Sequence, residues 1–276
     1  MDLRSRIVAF VLVFVAIACD ARSRGEDVSA GAEQRDPRGQ VFAEHRIAGI
    51  RVVETIVGGD AEFTDRLPVV MNIHGRGDRV RIPRTVAGID TPVRLLLPEA
   101  PDAFHEGFTW SPVSVTENRP RELAVALARN SERLARVLEW VVDERDVVGE
   151  PIVTGFSQGG MLSFTLAARY PSRLGRAIPI AGFLPPALLP RHAARVALPS
   201  IRAVHGTDDP IVRIGPTRRA VRRLRSIGYP VELTEVEGVR HIYTDALHAA
   251  VNPRIAAAIE AERERDARSP LDHLLP

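Results

Sequence analysis

The chain has 276 residues, 45% of them hydrophobic and 26% charged, which supplies a sizeable core and argues against wholesale disorder. Its 37 basic residues are all arginine and are nearly cancelled by 35 acids, leaving a net charge of +2 and no general affinity for nucleic acid; without lysine there is no lysine nucleophile or Schiff base. A single cysteine, Cys19, allows neither an intrachain disulfide nor a cysteine-based zinc site, and 5% aromatics argue against a single-strand stacking platform.

In chain order, the first element is an export signal. Arg4 and Arg6 precede an unbroken apolar run from Ile7 to Ala18. As a helix that run spans roughly 18 Å, too short for a hydrocarbon core of about 30 Å. The small residues of Ala16-Ile17-Ala18 lead into Cys19, which resembles the lipobox of bacterial lipoproteins. That resemblance implies a signal peptide over 1–18, cleavage before Cys19, lipidation of Cys19 and a lipid anchor to a bacterial membrane. The alternative is a simply secreted or periplasmic protein. Residues 19–40 are rich in charge, Ser and Gly, lack apolar periodicity and read as a flexible tether with a span of roughly 25 Å.

Residues 41–264 read as one domain of alternating strands and helices. Strands are predicted at Ile50–Val57, Pro68–Ile73, Val93–Leu97, Pro151–Thr154, Ala177–Ala181, Ile201–Val204 and Val231–Val236. Pro179 is an unusual guest for a central strand. Helices are predicted at Leu123–Val142 with Asn118 as N-cap, at Gln158–Tyr170, at Pro216–Ile227 and at Thr244–Glu264, with a short tail over 265–276. This alternation predicts an α/β fold, a doubly wound, mostly parallel sheet flanked by helices, with its chemistry at the carboxyl ends of the strands. Arg218, Arg219, Arg222, Arg223 and Arg225 make the third helix strongly basic, read as a solvated face.

Three of those loops carry a nucleophile, an acid and a base. Gly155-Phe156-Ser157-Gln158-Gly159 follows an apolar strand and opens a helix, the setting of a strained strand-to-helix turn that presents Ser157. His205-Gly206-Thr207-Asp208-Asp209-Pro210 follows the next strand but one. A carboxylate there could fix an imidazole tautomer; Asp209 is preferred and Asp208 is the alternative, which spacing alone does not decide. His241 lies on the loop before the last helix and suits a general base, with His248 a less favourable rival one turn into that helix. His205 reads as a packed strand-end residue. The loop His74-Gly75-Arg76-Gly77-Asp78 could aim the Arg76 backbone N–H at an oxyanion, with the Gln158 N–H as second donor, and His74 and Asp78 as braces. Trp110, Phe156 and Phe183, with Phe108, are candidate walls of an apolar acyl site.

These stretches, with Pro98-Glu99-Ala100-Pro101, resemble the α/β-hydrolase superfamily and within it the phospholipase/carboxylesterase branch that includes acyl-protein thioesterases. The likeness spans about residues 48–262. It implies an acid immediately before Pro210, which supports Asp209, and Arg76 and Gln158 as oxyanion donors. It implies a serine esterase acting on small-molecule esters or thioesters through an acyl-enzyme, with no cofactor and no metal. Arg76 departs from the apolar residue more usual in the branch. The competing readings are a peptidase of related fold and a non-catalytic envelope lipoprotein that binds a ligand on this scaffold.

Overall fold

A computed structural model describes residues 28–29, 31–35 and 41–268. Cys19 and the expected signal peptide lie outside the described residues. Among the described residues no helix is long and apolar enough to cross a membrane.

Two short strands, β1 (Val28–Ser29) and β2 (Glu33–Arg35), pair antiparallel with β3 (Val41–Ile47). The stretch expected to be a tether thus contributes two strands to the sheet edge. β3 pairs antiparallel with β4 (Ile50–Val57) across Ala48 and Gly49, both at positive φ (50° and 76°). A two-residue turn of that hand matches the twist of the flanking strands.

Next come β5 (Val69–Ile73), β6 (Val93–Pro98) and a small hairpin of β7 (Asp102–Phe104) and β8 (Gly107–Thr109). Helix α1 (Pro120–Glu144) leads to β9 (Ile152–Phe156), α2 (Gln158–Arg169), β10 (Arg176–Ile180) and β11 (Ser200–Gly206). The chain closes with α3 (Ile214–Ser226), β12 (Val231–Val236) and α4 (Asp245–Ala267).

The main sheet runs β1-β3-β4-β6-β5-β9-β10-β11-β12, with β2 also on β3. It is antiparallel from β1 to β6 and parallel from β6 to β12. The expected doubly wound, mostly parallel sheet is present. Its central strands are buried on both faces, and their side chains divide with period two. Val69, Met71, Ile73, Leu96 and Val153 face a core shared with α1, α2 and α3. Val70, Leu95, Leu97 and Ile152 face a second core shared with α4.

The apolar residues at helical spacing along α1, Leu123, Leu127, Leu134, Leu138 and Val141, are all buried. Its expected cap is not formed: Arg119 is the N-cap, and Asn118 instead sits at φ 53° where it ends a short 3-10 turn capped by Ser114 and Glu117. Pro179 does lie in central β10. The β10–β11 ladder holds Ala177↔Ile201 and Ile180↔Val204 but skips Pro179, which has no N–H to give. The sheet tolerates it because the β9 side of β10 is paired throughout.

Candidate active site

β5 and β9 are parallel neighbours with Ile73 opposite Gly155. The chain leaves β5 toward β6 on one side, and leaves β9 toward β10 on the other. The loops after β5 and β9 therefore diverge and leave a crevice, the position where doubly wound sheets bind ligands.

Ser157 occupies the turn from β9 to α2 at φ 58°, ψ −114°. That is a costly conformation for a residue with a side chain, of order 1–3 kcal/mol. Its N–H donates to Ile180 O (2.9 Å), and its carbonyl accepts from Met161 N–H (3.0 Å), which pin the turn. A Cβ on Gly159 would overlap the Ile73 carbonyl oxygen, so the helix can approach β5 this closely only with glycine there.

His241 joins the other two groups. Its Nε2 is 2.9 Å from Ser157 Oγ, and its Nδ1 is 2.6 Å from Asp209 Oδ2. Asp209 is buried, and its second oxygen accepts from the N–H groups of Ile211 (2.9 Å) and Val212 (2.8 Å). A carboxylate so held accepts from Nδ1–H, which leaves Nε2 free to accept the serine proton. Asp208 is exposed and takes a bond from the Thr207 hydroxyl (3.0 Å), so it does not meet His241. His248 sits on α4 against Tyr243, at 6.3 Å between ring centroids.

His205 is packed, as expected: it is buried and its Nε2–H donates to Val212 O (2.7 Å). The same nitrogen is 3.5 Å from Asp209 Oδ2, so His205 also backs the acid. Burial depresses its proton affinity and keeps it neutral.

The loop after β5 is braced from three sides. Ala100 N–H donates to His74 Nε2 (3.0 Å), so the ring proton is on Nδ1, which donates to Gly75 O (2.7 Å). Burial lowers the His74 pKa, consistent with a neutral ring. Trp110 Nε1–H donates to His74 O (3.0 Å). Gly77 N–H donates to Phe108 O (2.8 Å) and Phe108 N–H to Asp78 O (3.0 Å), which ties the loop to the β7–β8 hairpin. The same hairpin region holds the serine turn: Gln158 Oε1 accepts from Thr109 Oγ1 and Trp110 N–H, both at 3.1 Å. The Arg76 N–H donates to no described group, and the Gln158 N–H, first in α2, has no carbonyl one turn back. The Arg76 guanidinium lies 4.0 Å from the Phe104 ring centroid, turned toward Ser111 and Glu117.

One of the expected aromatic walls needs correction. Trp110 is fully buried and braces the loop rather than facing solvent. Phe183 is half-buried against the α1–α3 core, as is Phe108. Phe156 alone of the four lines the cavity beside His241, its ring centroid 4.9 Å from the imidazole. That cavity has a volume of about 520 Å³. Sequence reading missed the rest of its lining, chiefly Asn72, Arg79, Arg81, Arg84, Thr85 and Tyr243. The arginine spacing in 79–84 was the available signal. Among the described residues no group of His, Cys, Asp or Glu is placed to hold a metal ion.

A model of the Phospholipase/Carboxylesterase family matches residues 92–256. The chain belongs to this family. Ser157, Asp209 and His241 lie inside the matched segment, and the loop bearing Arg76 lies before it. Solved structures agree on the fold. Esterase PE8 superimposes with a TM-score of 0.60 at 19% identity, covering 74% of this chain and 97% of that one. A Bacillus cereus carboxylesterase gives 0.54 at 17% identity, with coverage of 76% and 93%. Zea mays acyl-protein thioesterase 2 gives 0.55 at 17% identity, with coverage of 76% and 98%. No curated protein matches the sequence. The family assignment thus rests on the segment that carries the β9 turn and the His241 loop, and the solved structures add the α/β-hydrolase scaffold.

Proposed function

We propose that this family member hydrolyses carboxylic esters, and thioesters by the same chemistry, through an acyl-enzyme on Ser157. The observation that carries the reading is the hydrogen-bonded line from Ser157 Oγ through His241 to Asp209 on a strained turn. In the first half-reaction His241 Nε2 takes the hydroxyl proton as Oγ bonds to the acyl carbon. The Arg76 and Gln158 N–H groups hold the oxyanion, and Asp209 stabilises the imidazolium. The imidazolium gives its proton to the leaving oxygen or sulfur as that bond breaks. In the second half-reaction His241 deprotonates water, which attacks the acyl carbon; the acid leaves and Oγ regains its proton. Every step is acyl transfer between nucleophiles and needs no redox partner.

We further propose that Cys19 is lipidated after cleavage of residues 1–18 and anchors the enzyme to a bacterial membrane. The support is the Ala16-Ile17-Ala18-Cys19 sequence behind an apolar run. Two or more acyl chains would give stable anchorage.

The test is hydrolysis of p-nitrophenyl esters from acetate to palmitate by the wild type and Ser157→Ala. The expected result is turnover that falls at least about 10³-fold in the variant. No turnover above the variant on any ester, from folded protein, contradicts the reading.

A further inference from the structure

The cavity beside His241 has a chemical character that ester hydrolysis alone does not require. Its inner wall includes Asn72, Thr85 and the Tyr243 phenol, and Arg79, Arg81 and Arg84 stand around it. Ile82 and Ile242, both exposed, add apolar surface. Asp78 is the one acid in the lining, and Glu106 and Asp245, the other carboxylates paired with these arginines, stand outside it.

Two features point to a ligand acceptor. Tyr243 Oη is buried yet bonds to no described group. A buried donor left unsatisfied is costly, and a bound acceptor would remove that cost. Burial pushes the phenol up to about 12 despite the nearby Arg84, so it remains a neutral donor at ordinary pH. The arginines, second, are held only by exposed ion pairs. Arg81 pairs with Asp78 (3.3 Å), Arg79 with Glu106 (3.6 Å) and Arg84 with Asp245 (2.6 Å), but their side chains are 73%, 63% and 57% exposed. Exposed pairs of this kind contribute little, and a better-placed anion displaces them.

Position decides which part of the substrate enters. His241 must reach the leaving oxygen to protonate it, and the cavity is bounded by His241, Phe156 and Gly75. Its occupant is therefore the leaving group. We propose that the preferred leaving alcohol is an apolar body bearing an oxyanion, a carboxylate or a phosphate, received by Tyr243, Arg79, Arg81 and Arg84. This inference rests on the hydrolase reading above and adds its substrate class.

The test compares three acetate esters with the full chain: 4-acetoxybenzoate, 4-acetoxyphenyl phosphate and the uncharged 4-acetoxybenzamide. The readout is kcat/KM for each anionic ester relative to the amide. We expect a ratio of at least about 10 for one of the two, and the larger ratio identifies carboxylate or phosphate as the anion. Tyr243→Phe and, separately, the triple change Arg79→Gln, Arg81→Gln, Arg84→Gln should each cut that ratio about 5-fold or more. The preference should also shrink as salt rises. Turnover of the amide at a rate equal to both anionic esters overturns the inference and leaves the hydrolase reading standing. So does an anionic preference untouched by both variants. Failure to cleave all three contradicts the hydrolase reading and removes the inference with it.

Discussion

Asp208 and Asp209 are chain neighbours with the same side chain, yet the fold gives them opposite surroundings. Asp209 points inward, where two backbone N–H groups and His241 share its oxygens, while Asp208 faces solvent. On the hydrolase reading, Asp209→Asn should lower kcat about 10³–10⁴-fold by presenting the wrong hydrogen-bond pattern to Nδ1. Asp208→Asn should stay within about threefold. Steady-state kinetics on a single ester checks both, and equal losses would contradict the assignment. Sequence spacing left this pair open because it fixes the loop and not the rotation of each residue on it. Trp110 shows the opposite limit. A large aromatic near a site reads equally well as wall or core, and only the bonds of its Nε1–H and N–H to His74 and Gln158 reveal a brace.

At the scale of elements, the strands that sequence missed are the short or half-buried ones. β7 and β8 have three residues each, too few for a period to appear. They matter because they clamp the loop after β5 against the Ser157 turn. β3, missed as well, carries His45 into a buried ionic cluster. His45 Nε2 lies 2.7 Å from Glu54 of β4, and Arg94 of β6 and Arg145 beyond α1 also bond to that carboxylate. Burial alone would raise the Glu54 pKa, but His45, Arg145 and Arg94 outweigh it and hold it at about 2. A carboxylate lowered from 4.5 stabilises the fold fully above 4.5, and that contribution is lost as pH falls toward 2. Glu54→Gln leaves Arg94 buried without its counter-charge and should cost about 3 kcal/mol at pH 7. Urea titrations of the two proteins should show the gap narrowing between pH 4.5 and 2. A gap independent of pH would contradict this account of the cluster.

At the scale of the whole molecule, the central parallel strands were legible because they are buried on both faces. Strands such as β5 and β6 are bounded by glycine or proline, and the observed limits follow the predicted ones closely. The antiparallel edge was less legible, since β1 and β2 owe their order to β3 and not to a pattern of their own. The same division holds for the site. Ser157, Asp209 and His241 sit on turns whose chemistry is written locally. The cavity wall joins the loop after β5 to the loop after β12, and only the closed sheet brings Arg84 and Tyr243 to one side of His241. The central claim is that this closure activates one serine. Treatment of the folded chain with a fluorophosphonate, followed by peptide mass mapping, tests it most directly. The account predicts one adduct per chain, located on Ser157 and absent from Ser157→Ala. No adduct on folded protein, or an adduct that persists in the variant, would contradict it.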